Sequence, residues 1–180
     1  MTHYGGKEMA ASFRTVRKNT IQIANDIPED KYEFRPAPDT RRVAQLLMHI
    51  GLATRFPLEI HTSRVTDFQT LNFQDLVQRI AAEEAKSRTK AEILTFLETE
   101  GDRFASFLEG TSDAFLAERV AMMPGADPAF RTRFDMLLSA KEHEMHHRGQ
   151  LMLVERMVGV VPHLTRQMQE RMARMQSSAR

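Results

Sequence analysis

The sequence predicts an all-α protein: a four-helix bundle with a long crossover connection and an extra C-terminal helix. Apolar residues recur every three or four positions in four long stretches, which is the period of an amphipathic helix. Alternating apolar and polar runs, typical of a half-buried strand, are nearly absent. The 180 residues contain no internal repeat or low-complexity segment. They are therefore predicted to form a single domain over residues 1–180.

The first two predicted helices are separated by proline-rich sequence. The inward stripe of the first helix consists of Met9, Phe13, Val16, Thr20, Ile23 and Ile27. Pro28 and the Arg-Pro-Ala-Pro-Asp segment 35–39 interrupt the helical pattern and predict an ordered connection. Thr40 is the predicted N-cap of the second helix, and Pro57 is predicted to kink or end it.

The middle of the chain leaves one choice open. The sequence allows either a helix over 75–85 or an irregular crossover in the 63–88 connection. Thr89-Lys90-Ala91-Glu92 matches a capping box and opens the third long helix. Residues 110–131 are predicted to form a connection with one short helical turn. The strand-like run 119–123 is too short to found a sheet.

The fourth long helix is predicted to begin after Thr132 and to end near Val158. Gly159 and Pro162 stop it, since glycine just after a helix and proline just beyond it are the usual end signals. A last helix, with apolar residues on one side, closes the chain. Those residues are Leu164, Met168, Met172 and Met175.

Composition narrows the functional classes. Lys plus Arg is 25 and Asp plus Glu is 24, so the net charge of +1 does not indicate a nucleic-acid-binding protein. The chain has no cysteine, so it supplies no thiolate ligand or nucleophile of its own. A secretory signal and a bilayer-spanning apolar stretch are both lacking in the sequence. We therefore expect a cytoplasmic protein that does not enter a membrane.

Two histidines on the fourth long helix occupy positions where its pattern calls for apolar residues. The stripe reads Met136, Ala140, His143, His147, Leu151 and Val154. Spacing of i and i+4 places two imidazoles on one face, which suits joint binding of one metal ion, although buried histidines can also be satisfied by carbonyls or water. His49, at the rim of the apolar face of the second helix, favours ligation, because a bundle completes such a site from facing helices. The predicted metal ligands are His49, His143 and His147.

The other candidate residues near this site carry weaker signals. His146 lies at the edge of the stripe and is predicted to be structural or solvent-facing, and Gln150 is a polar candidate beside the ligands. His-Glu-x-x-His over 143–147 also fits the zinc-protease pattern, but we expect Glu144 to point toward a helix flank. His3, His61 and His163 lie near helix ends or in connections, and no function is predicted for them.

Two segments resemble the signatures of the DinB-like family. The first is Tyr-Glu-Phe-Arg-Pro-Ala-Pro over 32–38 followed by Val-Ala-Gln-Leu-Leu-Met-His-Ile over 43–50, and the second is His-Glu-Met-His-His-Arg-Gly-Gln-Leu over 143–151. The resemblance implies a four-helix bundle with a long crossover, usually a homodimer, that binds nickel, zinc or a similar ion. Carried over, its ligands are His49, His143 and His147, the same three residues. Asp39 and Arg41 depart from residues that are frequent in the family.

Three functions follow as expectations. A three-histidine site leaves coordination positions open, which is typical of catalytic metal sites. The resemblance implies a metal-dependent thiol transferase or hydrolase acting on a small molecule, with a low-molecular-weight thiol supplied from outside the chain. The alternative is a non-catalytic metal-binding or stress-response module, and a zinc protease is the weakest interpretation.

A homodimer is also expected from the residues themselves. Phe134, Leu138, Met145 and Met152 form a second apolar stripe on the fourth long helix. Packing of other helices of the same chain against this stripe is an equally good explanation.

Overall fold

The computed structural model describes residues 4–178 and confirms the helical bundle. Its first, third and fourth long helices are α1 (Gly6–Asp26), α5 (Lys90–Glu109) and α7 (Arg133–Met157). The second is broken into α2 (Val43–Leu52) and α3 (Arg55–Thr62). Shorter elements complete the fold: α4 (Phe73–Glu84), α6 (Asp113–Ala117), β1 (Arg119–Ala121), β2 (Phe130–Thr132) and α8 (His163–Ser178).

The ends of the long helices follow the local signals of the sequence. The Thr89 side chain accepts a hydrogen bond from the Glu92 amide, and the Glu92 carboxylate accepts one from the Thr89 amide, which completes the predicted capping box. Thr132 caps α7 by accepting from the amide of Asp135. Gly159 has a φ of +85°, the left-handed conformation that favours glycine after a helix.

The predicted start of the second helix is wrong by two residues. The Thr40 hydroxyl bonds to the Ala37 backbone within the proline-rich connection, so it is not free to cap the helix. Arg42 is the N-cap instead, and its amide donates to the side chain of Gln45. Pro57 lies in the first turn of α3, where a missing amide hydrogen is tolerated, so the break comes just before the proline.

The crossover from α3 to α5 contains a helix, which settles the choice left open for 63–88. A single 3₁₀ turn, Phe68–Thr70, precedes α4, whose N-cap Asn72 accepts from the amide of Asp75. α4 packs against α2, and this brings Glu84, its last residue, to the side of the bundle.

The connection from α5 to α7 forms more regular structure than predicted. α6 is the expected short helical turn, but β1 pairs with β2 as an antiparallel ribbon, with Val120 opposite Arg131. The run near 119–123 does enter a sheet, because a partner strand follows within the same connection. Val120 is fully buried and anchors the ribbon in a cluster with Ile60, Phe68 and Met136.

The bundle core lies between helices arranged in a ring. α1 packs on α5 and α7, and α2 packs on the same two helices from the other side. α2 and α7 are therefore neighbours and present their inner faces to each other. None of the helices between residues 4 and 178 is long and apolar enough to cross a bilayer.

Apolar surface remains exposed toward the C-terminal end of the described chain. On the second stripe of α7, Phe134 packs edge-on against Tyr4 of the same chain, whereas Met145 is 43% exposed. Met168, Met172 and Met175 of α8 are also exposed. The homodimer stays a prediction.

Candidate metal centre

Three imidazoles from two neighbouring helices meet at one point inside the bundle. His49 lies near the end of α2, and His143 and His147 lie one turn apart on α7. The Nε2 atom of His143 is 3.2 Å from Nε2 of His49 and 3.1 Å from Nε2 of His147. One ligand atom from each of the three lies within 4.8 Å of the others, so the group could hold a metal ion.

The spacing of these nitrogens fits a metal ion. Two imidazole nitrogens bound at about 2.05 Å with a tetrahedral angle lie roughly 3.3 Å apart. The observed separations of 3.1 and 3.2 Å are close to that value. Two neutral acceptor nitrogens at such a distance repel each other unless a proton or a cation lies between them.

Hydrogen bonds on the outer sides of two rings direct their inner nitrogens toward the meeting point. Nδ1 of His49 lies 3.1 Å from the carboxylate of Glu84, which only accepts, so this nitrogen carries the proton. Nδ1 of His147 lies 2.7 Å from the side-chain oxygen of Gln150. Both rings are therefore held as the tautomer whose Nε2 has a free lone pair, as ligating histidines require.

Burial keeps two of the candidate ligands in their neutral form. Burial, together with the neighbouring His147 and His49, lowers the pKa of His143 to about 4. The pKa of His147 is likewise lowered, chiefly by burial. Neutral imidazoles are the form that binds a metal, so the environment preserves the ligands in that form at neutral pH.

Glu84 was not predicted from the sequence, although it contacts a candidate ligand. Burial raises the pKa of Glu84, but hydrogen bonds from His49 and Arg41 outweigh it and hold that pKa below its usual range. Its segment could not be assigned to a helix in advance, so its register relative to His49 was unknown. Arg41, one of the departures from the family pattern, is the second partner of this carboxylate.

Glu144 faces the core and not a helix flank, so that prediction is wrong. Its carboxylate is buried and accepts from Nε and Nη2 of Arg17 on α1, each at 2.9 Å. A carboxylate held this way stabilises the helix packing and is not available as the general base that a zinc protease needs. Arg17 lies on the inward side of α1, and this charge within an apolar stripe was the available sequence signal.

The remaining histidines lie outside the group of three. His146 is exposed, and its Nε2 accepts from the Gln150 side-chain amide at 3.2 Å. His61 is buried against Arg133, and His163 contacts Asn19, so both have structural partners. His3 lies outside the described residues.

Two cavities adjoin the histidines, and they share no lining residue. The larger, about 700 Å³, is lined by His147, Glu84 and Gln150 together with residues of the proline-rich connection and the end of α7. The smaller, about 320 Å³, is lined by His49 and His143 and by apolar residues of α3 and α7. Such volumes are typical of small-molecule sites.

The family model of the DinB superfamily matches residues 12–151, which include both signature segments and all three histidines. The chain belongs to the DinB superfamily. None of the curated proteins is similar enough in sequence to count as a match.

Solved structures share the fold of this DinB-superfamily chain at low sequence identity. A DinB-like protein of Bacillus subtilis, YjoA, is 20% identical, with 84% of this chain and 92% of that chain covered and a TM-score of 0.63. YfiT of Bacillus subtilis, described as a probable metal-dependent hydrolase with an unusual four-helix bundle topology, is 12% identical over 89% and 91% of the two chains, with a TM-score of 0.67. A variant of a mycothiol-dependent maleylpyruvate isomerase is 11% identical over 84% and 63%, with a TM-score of 0.62.

Proposed function

We propose that this protein is a divalent-metal-dependent enzyme that transfers an external low-molecular-weight thiol to a small electrophile. The observation that carries the proposal is the convergence of three Nε2 atoms beside a cavity of about 700 Å³. Three histidine ligands leave at least one coordination position for an exogenous group. Nickel and zinc are the proposed ions, because imidazole nitrogen suits both.

The bound ion would supply Lewis-acid chemistry, lowering the pKa of an external thiol or water so that it becomes a nucleophile at neutral pH. His49, His143 and His147 would hold the ion, and Glu84 and Gln150 would fix two of their rings. In the transfer, a carbon–sulfur bond forms as the bond from that carbon to its leaving group breaks. The leaving group departs with the bonding electrons, and the thiol proton passes to solvent.

The disposition of the carboxylates favours a thiol over water as the nucleophile. Glu84 is bonded to His49 and Arg41, and Glu144 is bonded to Arg17, so neither is placed to take a proton from an attacking water. A thiol coordinated to a metal ion loses its proton outright and needs no such base. The larger cavity also has far more room than a water molecule needs, which is about 30 Å³.

Hydrolysis is the second candidate, favoured by the likeness to a structure described as a probable metal-dependent hydrolase. A non-catalytic metal-binding or stress-response role is the third. Elemental analysis of protein purified without an affinity tag tests the metal, and equimolar metal is the expected result. A screen of thiols with electrophiles then tests the reaction. Thiol consumption that depends on the metal supports transfer, and product formation without thiol supports hydrolysis. If neither activity is found, the result supports the non-catalytic role.

A further inference from the structure

The smaller cavity beside the histidines is lined mostly by apolar and aromatic side chains, which suit an uncharged aromatic ring. We propose that it binds the ring of the electrophilic substrate, separately from the thiol in the larger cavity. This assignment rests on the proposed function for the role of the ligand, but the binding itself does not require a metal ion.

The walls of the smaller cavity are apolar and rich in aromatic side chains. Phe56 and Phe68 line it and pack edge-to-face, with ring centroids 6.1 Å apart. The other apolar walls are contributed by Ala53, Pro57, Ile80, Met122, Met136 and Ala140. Aromatic edges and methionine thioethers both make favourable contacts with a further aromatic ring.

Among the polar side chains that line this cavity, Arg131 already has partners within the protein. Arg131 donates to the carboxylate of Asp135 and, at 2.7 Å, to the hydroxyl of Ser139. The charge of Arg131 is thus balanced by Asp135, and no carboxylate lines the cavity. The cavity therefore favours an uncharged ligand over an ionic one, because no charged group in its lining is left without a counter-charge to pair with an ion.

The size of the cavity limits the ligand to about one ring. An engineered apolar cavity of about 150 Å³ binds benzene. At about 320 Å³, this cavity holds a ring with a short substituent. His49 and His143 form one side of it, so the substituent of a bound ring can reach the point where the three Nε2 atoms meet.

The three histidines lie between the two cavities, so a reaction at the metal centre can use both cavities. His147 borders the larger cavity, whereas His49 and His143 border the smaller. A thiol and an electrophile can therefore approach the same point from different sides without competing for space. Such an arrangement holds two reactants close together in a reactive orientation.

Binding of benzyl alcohol to the metal-free protein tests the site. The expected result is saturable binding by calorimetry, with amide chemical-shift changes concentrated around Phe56, Met136 and Ala140. Ala140→Leu, which fills the cavity, should weaken binding about tenfold or more. Ala11→Leu, the same change at an exposed position of α1, should alter binding less than about twofold.

A second variant tests the same cavity if Ala140→Leu does not fold. Phe56→Trp enlarges a half-buried lining residue of α3, and it introduces a fluorescent reporter into a chain that has no tryptophan. It should also weaken binding about tenfold. No saturable binding, shifts confined to the larger cavity, or equal affinity in both cavity-filling variants and the control would each overturn the proposal. Ring binding that persists in a protein without metal or thiol-transfer activity would instead refute the proposed function alone.

Discussion

Glu155 gives a stability prediction that can be worked out from the structure. This residue of α7 is fully buried, and neither carboxylate oxygen has a hydrogen-bond partner among residues 4–178. Burial, together with the negative charge of Asp26, raises the pKa of Glu155 from 4.5 to about 7. Glu155→Gln removes the titration while keeping the size of the side chain.

The sign and size of the effect follow from the difference between folded and unfolded states. The pKa of Glu155 is higher in the folded state than in the unfolded state, so protonated Glu155 favours folding. This contribution to the unfolding free energy is complete below pH 4.5 and is lost as pH rises through about 7. At about 1.4 kcal/mol per pKa unit, the largest cost of ionising Glu155 in the folded protein is about 3 kcal/mol. The unfolding free energy of Glu155→Gln relative to the wild type should therefore be about 2–3 kcal/mol greater at about pH 8.5 than at about pH 5.

Urea unfolding at those two pH values, in the presence of a chelator, measures this gain. Glu98→Gln, which neutralises an exposed carboxylate on α5, is the matched control and should show no comparable gain. Comparing the two pH values cancels any constant cost of the new amide. A gain from Glu155→Gln that is the same at both pH values would refute the reasoning, since it would mean that Glu155 does not titrate in this range.

The remaining predictions concern the metal centre and the assembly. His49→Ala, His143→Ala and His147→Ala should each abolish stoichiometric metal retention in elemental analysis, whereas His146→Ala should keep the ion. Loss of metal from His146→Ala with retention in His143→Ala would contradict the geometry. Glu84→Gln should weaken metal affinity about 10- to 100-fold in a chelator competition, and unchanged affinity would show that the carboxylate does not orient His49. Acidification should release the ion, and at a pH well below the usual imidazole pKa of about 6.5, because the pKa values of His143 and His147 in the folded protein are depressed. For the same reason the metal-free folded state should lose stability as pH falls from 6.5 toward 4. A melting temperature that is the same with metal and with chelator at neutral pH would show that the ion does not stabilise the fold. Light scattering at tens of micromolar protein should show a dimer, and a monomer would refute that prediction.

The long helices and the histidine group were predictable because their signals are periodic and local. His143 and His147 are conspicuous on α7 because they interrupt an apolar stripe. Their positions on the helix face follow from helical periodicity alone, without knowledge of the fold. The Thr89 and Thr132 caps were likewise predictable, because each hydroxyl accepts a hydrogen bond within its own helical turn.

The features that the sequence did not reveal depend on contacts between distant segments. Glu84 reaches His49 across 35 positions, and Arg17 reaches Glu144 across 127. No period or spacing encodes such pairs. Thr40 was misassigned for a related reason: a threonine before an apolar run can cap a helix or close a turn, and only the local backbone conformation decides which.

The three histidines are far apart along the chain, which has a consequence for how the protein would acquire its ion. His49 and His143 are separated by 94 positions and belong to helices that become neighbours only when the bundle closes. During synthesis the first histidine emerges long before the other two, so a nascent chain has no three-point site to offer. The proposed ion would therefore be bound at all three positions only after α2 and α7 have both been synthesised and packed together. Which metal occupies the site would then depend on which ions the cell makes available at that moment, as well as on the preference of imidazole nitrogen.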